Sequence, residues 1–209
     1  MFKNKDTDEE IEVDIDLHEN VIVNPCGASS ASAVGVSYAV FEHLQRICGV
    51  NDAQYDRDKN QAESGPCLKS YAHTNESDTV QYVIYVKSDL RYPNRRPSSA
   101  KTFDAYYLKL EELYRSVFQL CADNQKTRVR VPMIGLGVNS GNKEVTEEMV
   151  KLNVEAAEKA WRSIDVEELF VEFCIYKQEE YQVCCVQILF AWCVDSAFDV
   201  AVCQIAKRL

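Results

Sequence analysis

The sequence predicts an α/β fold in which a mixed, mostly parallel sheet is covered by helices on both faces. Short apolar runs rich in β-branched residues alternate with segments whose apolar residues recur at helical spacing. Two strand-to-helix loops, at residues 25–32 and 135–142, consist mainly of small residues. Both loops leave the carboxyl ends of predicted parallel strands, the edge where such sheets bind ligands. The pattern therefore predicts a ligand site at that edge.

Composition and charge exclude several classes of protein. The 209 residues suffice for one sizeable domain, and the net charge of −10 argues against a general affinity for nucleic-acid backbones. The nine cysteines form no pair at metal-ligand spacing, so we expect free thiols in a cytoplasmic or nuclear, reducing setting. The isolated histidines His18, His43 and His73 predict no metal site. The charged N-terminus predicts no signal peptide, and the polar residues within 183–206 predict no membrane span.

The first part of the chain contains the stretch around which the rest is organised. Residues 1–10 are a polar lead, and residues 11–17 alternate apolar with acidic side chains, which is typical of a strand with one buried face. A short buried strand at 21–24, a loop of small residues and a helix over 33–48 follow, with Ser32 as a candidate N-cap. Backbone N–H groups at this helix start could hold a phosphate, although close packing of helix on strand explains the same small residues.

The middle of the chain contains two strands and a basic loop. Residues 51–65 are polar and predict a surface excursion without regular structure. The patterns then predict a short strand at 66–71, a turn at 73–78 and a strand at 80–87. The loop at 88–102 is the only markedly basic stretch of this acidic chain.

The last part continues the alternation of helices and strands. The predicted elements are a helix over 103–121, a strand at 128–136, a helix over 145–161 with Thr146 as N-cap, a strand at 169–176, a closing helix over 179–190 and a helical tail over 195–209. On the closing helix, adjacent Cys184 and Cys185 would point to different sides, so a disulfide between them is not expected.

Several motifs, in the right order, resemble those of macro domains. VIVNPCG followed by SAVGVSYAV resembles the VNAAN and GGGVAxAI motifs, YVIYV resembles the central strand, and VPMIGLGVNSG resembles the second loop. The basic stretch after YVIYV makes the chain most similar to the terminal ADP-ribose protein glycohydrolase branch. The resemblance implies a three-layer macro-domain-like fold over residues 11–190, preceded by the lead 1–10 and followed by a helical extension at 191–209. It implies ADP-ribose, free or attached to protein, as the ligand, and no cofactor.

The resemblance also implies which residues would bind the ligand. Asp14, with Asp16 as the alternative, matches the acid that recognises adenine, and Asn24 matches the first Asn of VNAAN, which shapes the loop. The two loops would hold the diphosphate, mainly through backbone N–H groups. The implied ligand-binding set is Asp14, Asn24, Cys26, Gly27, Gly35, Val36, Gly135, Leu136, Gly137, Val138, Asn139 and Ser140.

The sequence departs from the family where catalysis would take place. Gly27 replaces the second Asn of VNAAN, and the catalytic Lys and Asp of the glycohydrolase branch correspond to Asp89 and Asn139. Ala33 and Val34 replace glycines and would crowd the diphosphate. These replacements imply a pseudoenzyme that binds ADP-ribose or a related nucleotide with weak or no glycohydrolase activity.

Two other functions stay open. One is a degenerate macro domain that does not bind ADP-ribose and acts as a protein or nucleic-acid interaction module, for example within a larger viral or cellular polypeptide. The other is an active mono-ADP-ribosyl hydrolase, in which Asp89 or a displaced Lys87 would act. Cys26, beside a helix start, is either a reactive thiol or a packing residue. A protein or RNA partner would contact the basic residues Arg91, Arg95, Arg96 and Lys101.

Overall fold

The structure is a computed structural model that describes residues 2–3, 10–11, 21–26, 36–76, 78–87, 100–135, 147–165, 169–177, 182–184 and 200–201. Its elements, in chain order, are β1 (Phe2–Lys3), β2 (Glu10–Ile11), β3 (Val21–Cys26), α1 (Val36–Cys48), α2 (Asp52–Asn60), a 3₁₀ turn (Gln61–Ser64), β4 (Cys67–Ala72), β5 (Val80–Lys87), α3 (Ala100–Asp123), β6 (Arg128–Pro132), α4 (Glu147–Arg162), β7 (Phe170–Lys177), β8 (Gln182–Cys184) and β9 (Val200–Ala201).

The main sheet is mixed and mostly parallel, as the sequence predicts. Its long strands lie in the order β4-β5-β3-β6-β7. β3 runs parallel to both β5 and β6, and β6 runs parallel to β7, whereas β4 is antiparallel to β5. The short strands β8 and β9 both pair with β7, and β1 and β2 form a separate antiparallel pair.

Helices cover both faces of this sheet and form two apolar cores. Successive residues of β5 alternate between the cores, with Ile84 and Val86 on one face and Val83 and Tyr85 on the other. The first core lies against α3 and α4, and the second lies against α1 and α2. The arrangement of helices, sheet and helices confirms the predicted three-layer α/β architecture.

The two helices on the first face are joined by a polar contact within the core. The Tyr114 hydroxyl on α3 donates a hydrogen bond to Asn153 Oδ1 on α4 over 2.7 Å, and both side chains are fully buried. Burial raises the pKa of Tyr114 far above its usual value, so this hydroxyl stays a donor.

Among the described helices, none is both long and apolar enough to cross a membrane.

The prediction of an irregular excursion at residues 51–65 is wrong, because a helix and a 3₁₀ turn occupy most of it. Asn51 caps α2, its Oδ1 accepting a hydrogen bond from the backbone N–H of Gln54 over 2.9 Å. Tyr55 is fully buried, and the charged residues Asp58 and Lys59 are also buried. The helix has no apolar stripe, so periodicity could not reveal it.

The helices predicted for the C-terminal segments are also wrong wherever those segments are described. Residues 182–184, including Cys184, form β8, and residues 200–201 form β9. Both strands hydrogen-bond to β7. A strand edge offers unpaired backbone donors and acceptors, and this pairing satisfies part of them. Cys185 lies outside the described residues.

The remaining element predictions differ mainly at their boundaries. The strands predicted at 66–71, 80–87 and 169–176 are confirmed, and the strand predicted at 128–136 ends at Pro132. The predicted helices over 103–121 and 145–161 correspond to Ala100–Asp123 and Glu147–Arg162. Of the strand predicted at 11–17, only Ile11 is described, and β2 pairs with a strand in the lead that was not predicted. Ser32 and Thr146 lie outside the described residues.

Candidate functional site

The order of the strands predicts a crevice at the carboxyl ends of β3 and β6. The chain leaves β3 towards α1 on one face of the sheet, and it leaves β6 towards α4 on the other face. β5 and β4 lie on the far side of β3 from β6, and β7 lies on the far side of β6 from β3. Two neighbouring parallel strands whose following loops diverge to opposite faces leave a crevice beyond their carboxyl ends.

The hydrogen-bond ladders on the two sides of β3 differ in length. The β3–β5 ladder extends to the pair Cys26–Lys87 at the end of both strands. The β3–β6 ladder comprises only Val21 with Val129 and Ile22 with Arg130. Beyond Ile22, β3 has ladder partners on the β5 side alone, and Asn24 is one of the residues without a ladder partner on the β6 side.

Asn24 is fully buried and only partly satisfied. Its Nδ2 donates a hydrogen bond to Tyr55 Oη over 2.7 Å. Its Oδ1 has no hydrogen-bond partner among the described residues. A buried acceptor without a donor is unfavourable, so this oxygen is a natural contact for a ligand hydroxyl or N–H group.

Tyr55 connects Asn24 to the first turn of α1. Its hydroxyl donates to the Ser37 backbone carbonyl over 2.6 Å and lies 2.8 Å from Ser37 Oγ. The ring packs edge-on against Phe41 and Tyr85, with centroid separations of 5.1 and 5.6 Å. Burial raises the pKa of Tyr55 to about 12, which keeps its proton available for the Ser37 carbonyl.

A second buried hydroxyl cluster lies under α2. The Tyr71 hydroxyl donates to Asp58 Oδ2 over 3.0 Å and lies 2.8 Å from Tyr85 Oη. Burial raises the pKa of both tyrosines well above the usual value. The cluster joins α2 to β4 and β5.

The second loop begins with a glycine in a left-handed conformation. Gly135 has φ of 80° and follows the buried residue Ile134. Residues with a Cβ rarely adopt this conformation. Glycine adopts it without a steric penalty, so the chain can turn here at little cost in free energy. Gly135 thus redirects the chain at the carboxyl end of β6, on the β6 side of the crevice.

The structure describes four of the residues implied to bind the ligand, and all four lie at this edge of the sheet. Asn24 and Cys26 end β3, Val36 begins α1 and Gly135 follows β6. The residues outside the described part are Asp14, Gly27, Gly35, Leu136, Gly137, Val138, Asn139 and Ser140. Asp89, Arg91, Arg95 and Arg96 also lie outside it, and of Lys101 only the backbone, in α3, is described.

Cys26 and Lys87 have structural surroundings rather than those of reactive groups. The Cys26 thiol is 1% exposed and contacts the Val86 carbonyl over 3.6 Å, and burial raises its pKa to about 11. A thiol in this state is a packing residue, so the reactive-thiol alternative is wrong. Lys87 forms an ion pair with Glu63 of the 3₁₀ turn, on the β5 side of β3 and away from β6.

Sequence reasoning missed Tyr55, Ser37 and Tyr71 as supports of the site. Tyr55 is the only aromatic residue of α2 and is followed by four charged residues, which is the one signal that could have indicated an anchor there. Within the described part of the chain, no group of three or more His, Cys, Asp or Glu residues could hold a metal ion.

Of three comparisons with known proteins, the one with solved structures gives matches. No protein-family model matches the chain, and no curated protein sequence matches it. The structure is similar to the Oceanobacillus iheyensis macrodomain with ADP, at 17% identity and a TM-score of 0.52, over 78% of this chain and 80% of that one. A mutant of the same macrodomain matches at 16% identity and a TM-score of 0.51, over 78% and 80% of the two chains.

A further match is the macro domain of ganglioside induced differentiation associated protein 2, at 16% identity and a TM-score of 0.47, over 77% of this chain and 71% of that one. Identities this low show the fold alone. The sheet order, the helices on both faces and the two matches to the Oceanobacillus iheyensis protein together show that this chain has the macrodomain fold.

Proposed function

We propose that the chain binds ADP-ribose or a related nucleotide in the crevice between β3 and β6, with weak or no glycohydrolase activity. The observation that carries the proposal is Asn24, a fully buried amide near the carboxyl end of β3 whose Oδ1 has no partner in the described structure. Such an acceptor suits a ligand rich in hydroxyl groups, as ribose is.

The surroundings of Asn24 suit the anionic part of the same ligand. α1 begins at the same edge, and the N-terminus of a helix attracts anions through its free N–H groups and its dipole. The Oceanobacillus iheyensis macrodomain, which shares this fold, has been solved with ADP. We propose that the loops after β3 and β6 hold the diphosphate through backbone N–H groups and that Asp14 contacts the base.

We further propose that binding is not followed by efficient hydrolysis. Asp89 and Asn139 replace the lysine and aspartate that the glycohydrolase resemblance implies. The nearest described lysine on that strand, Lys87, is engaged by Glu63. Cleavage at an anomeric carbon needs a positioned nucleophile or water and a group that transfers protons, and each typically contributes a hundredfold or more.

Calorimetric titration with ADP-ribose, with ADP and AMP as reference ligands, tests the binding proposal. We expect saturable one-to-one binding that weakens about tenfold or more in Asp14→Asn, because a hydrogen bond to a charged group contributes about 1.5–3 kcal/mol. Asp16→Asn is the matched control and should change the affinity less than about twofold. If only Asp16→Asn weakens binding, Asp16 is the adenine-contacting acid. No heat at about 1 mM ADP-ribose would overturn the proposal.

A hydrolysis assay on mono-ADP-ribosylated protein tests the second part. We expect release of ADP-ribose to be the same for the parent chain and for Asp89→Asn. Faster release by the parent chain, lost in Asp89→Asn, would identify an active hydrolase instead.

Two further proposals concern the partners and the location of the chain. The basic residues Arg91, Arg95, Arg96 and Lys101 would contact a protein partner or a phosphate-bearing partner such as RNA or poly(ADP-ribose). A reducing cytoplasmic or nuclear location is supported by the free thiols of Cys26, Cys48, Cys67 and Cys121.

A further inference from the structure

The hydrogen bonds of Tyr55 determine which end of the Asn24 amide is left free. The Ser37 backbone carbonyl can only accept, so the Tyr55 proton points to it. The Tyr55 oxygen is then left as an acceptor for the Asn24 Nδ2–H group, 2.7 Å away, and for the Ser37 hydroxyl, 2.8 Å away. With one bond donated and two accepted, the hydroxyl is fully used.

This arrangement fixes the amide in one orientation. Turned by 180°, the amide would place its oxygen against a Tyr55 oxygen that has no proton left to donate, which is repulsive. The Tyr55 ring cannot move to relieve this, because it is fully buried and packed edge-on between Phe41 and Tyr85. Asn24 therefore always presents Oδ1, not Nδ2, away from Tyr55.

We propose that Tyr55 is a positioning residue that holds Asn24 so that Oδ1 is a preformed acceptor for a hydroxyl group of the ribose-bearing ligand. This inference rests on the proposed function and deepens it, because it names the atom that selects a hydroxyl donor. Tyr55 itself does not touch the ligand and acts only through Asn24. The helix that carries it is held to the sheet separately, through Asp58 and Tyr71.

The test is a double-mutant cycle on ADP-ribose affinity with Tyr55→Phe, Asn24→Ala and the double variant. We expect each single variant to bind about tenfold more weakly, as expected for one lost hydrogen bond. The double variant should bind no more weakly than Asn24→Ala alone, because Tyr55 has no effect once its target is gone. A merely structural role of Tyr55 would instead give additive losses.

Tyr71→Phe is the matched control. It removes another buried tyrosine hydroxyl beneath the same helix, and it should lower the thermal midpoint while leaving the affinity within about twofold of the parent. The inference is overturned if Tyr55→Phe binds as tightly as the parent, if the losses add, or if Tyr71→Phe weakens binding as much as Tyr55→Phe.

A second measurement needs no ligand and separates this inference from the proposed function. In a ¹⁵N spectrum, with the Asn24 side-chain amide assigned from its absence in Asn24→Ala, we expect slow proton exchange in the parent and in Tyr71→Phe. Exchange should be about tenfold faster or more in Tyr55→Phe. Equal exchange in all three overturns the positioning role. The parent chain could also show slow exchange of the Asn24 amide protons and yet bind no ADP-ribose. That result would overturn the proposed function and the role of Oδ1 as an acceptor for the ligand. It would leave the contact between Asn24 and Tyr55 standing.

Discussion

Removing one buried hydroxyl, in Tyr71→Phe, should destabilise the fold much more than an average tyrosine-to-phenylalanine change. Tyr71 Oη lies 3.0 Å from Asp58 Oδ2 and 2.8 Å from Tyr85 Oη. Because the carboxylate oxygen accepts, Tyr71 donates to Asp58 and accepts from Tyr85. The substitution therefore removes two hydrogen bonds, and it takes the acceptor away from a hydroxyl on Tyr85, which is fully buried.

The magnitude follows from these two losses. A hydrogen bond to a charged group contributes about 1.5–3 kcal/mol, and a buried polar group left without its partner costs about 1–3 kcal/mol. Allowing for partial relaxation of Asp58 towards solvent, we expect the free energy of unfolding to fall by about 3 kcal/mol. Most domains of this size can lose this amount and stay folded, since typical stabilities are about 5–15 kcal/mol.

Urea unfolding followed by far-UV circular dichroism measures this loss. The midpoint should decrease while the dependence on urea stays the same, because the variant exposes no additional surface on unfolding. Tyr38→Phe is the control, since Tyr38 is 42% exposed on α1, and it should change stability by less than about 0.5 kcal/mol. A loss in Tyr71→Phe no larger than in this control would refute the reasoning.

Three further predictions concern single groups. Burial raises the pKa of Cys26 to about 11, so its thiol should resist alkylation in the folded chain at about pH 8 and react after unfolding in urea. Site-resolved mass spectrometry would measure both reactions. Fast alkylation of Cys26 in the folded chain would contradict this prediction. Burial lowers the pKa of His43, so the unfolded chain binds more protons there and stability should fall as pH drops through about 6.5. In His43→Gln, the thermal midpoint should fall less than in the parent chain as the pH is lowered from about 7.5 to 5. If it falls by the same amount, other groups cause the pH dependence. Asn51→Ala should cost about 1 kcal/mol through loss of the α2 cap while Asn51→Asp keeps the stability, and equal urea midpoints for the two variants would exclude the capping role.

The sheet and its long helices could be predicted because burial leaves a direct trace in the sequence. β5 is covered on both faces, so it reads as a nearly continuous run of Val, Ile and Tyr. In α3, Tyr106, Leu110 and Val117 lie on one face at helical spacing and all are buried in the first core. These patterns are local, and no knowledge of distant partners is needed to recognise them.

α2 and the C-terminal strands could not be predicted because their stability comes from distant partners. In α2 the only buried aromatic side chain is Tyr55, and the buried charges of Asp58 and Lys59 depend on partners such as Tyr71 and Asp56. No count of apolar residues detects a helix held by hydrogen bonds and ion pairs. For β8, the open edge of β7 decides the structure, and local helix propensity does not.

The position of the candidate site could be predicted from the sequence, whereas the residues that support Asn24 could not. Two small-residue loops after parallel strands are sufficient to predict a ligand site at one edge of the sheet. Asn24 was identified through a motif, but its burial, its orientation and its free oxygen depend on Tyr55, whose hydroxyl reaches it from 31 residues away in the sequence. A contact of that separation leaves no signal in the local pattern.

The polar character of α2 can be understood from this contact. An apolar helix at this position could cover the sheet, but it would supply no hydroxyl to orient Asn24 and would leave its Nδ2 unsatisfied in the core. Tyr55 does both, because its ring fills the second core between Phe41 and Tyr85 while its hydroxyl satisfies the amide and the start of α1. The helix has no apolar stripe of its own, and the Asp58–Tyr71 hydrogen bond is one of the contacts that join it to the sheet, whereas the Tyr55 ring is held by its own packing against Phe41 and Tyr85. The attachment of α2 and the proposed ligand recognition thus depend on different hydroxyl groups, which is why Tyr55→Phe and Tyr71→Phe are expected to separate the two effects.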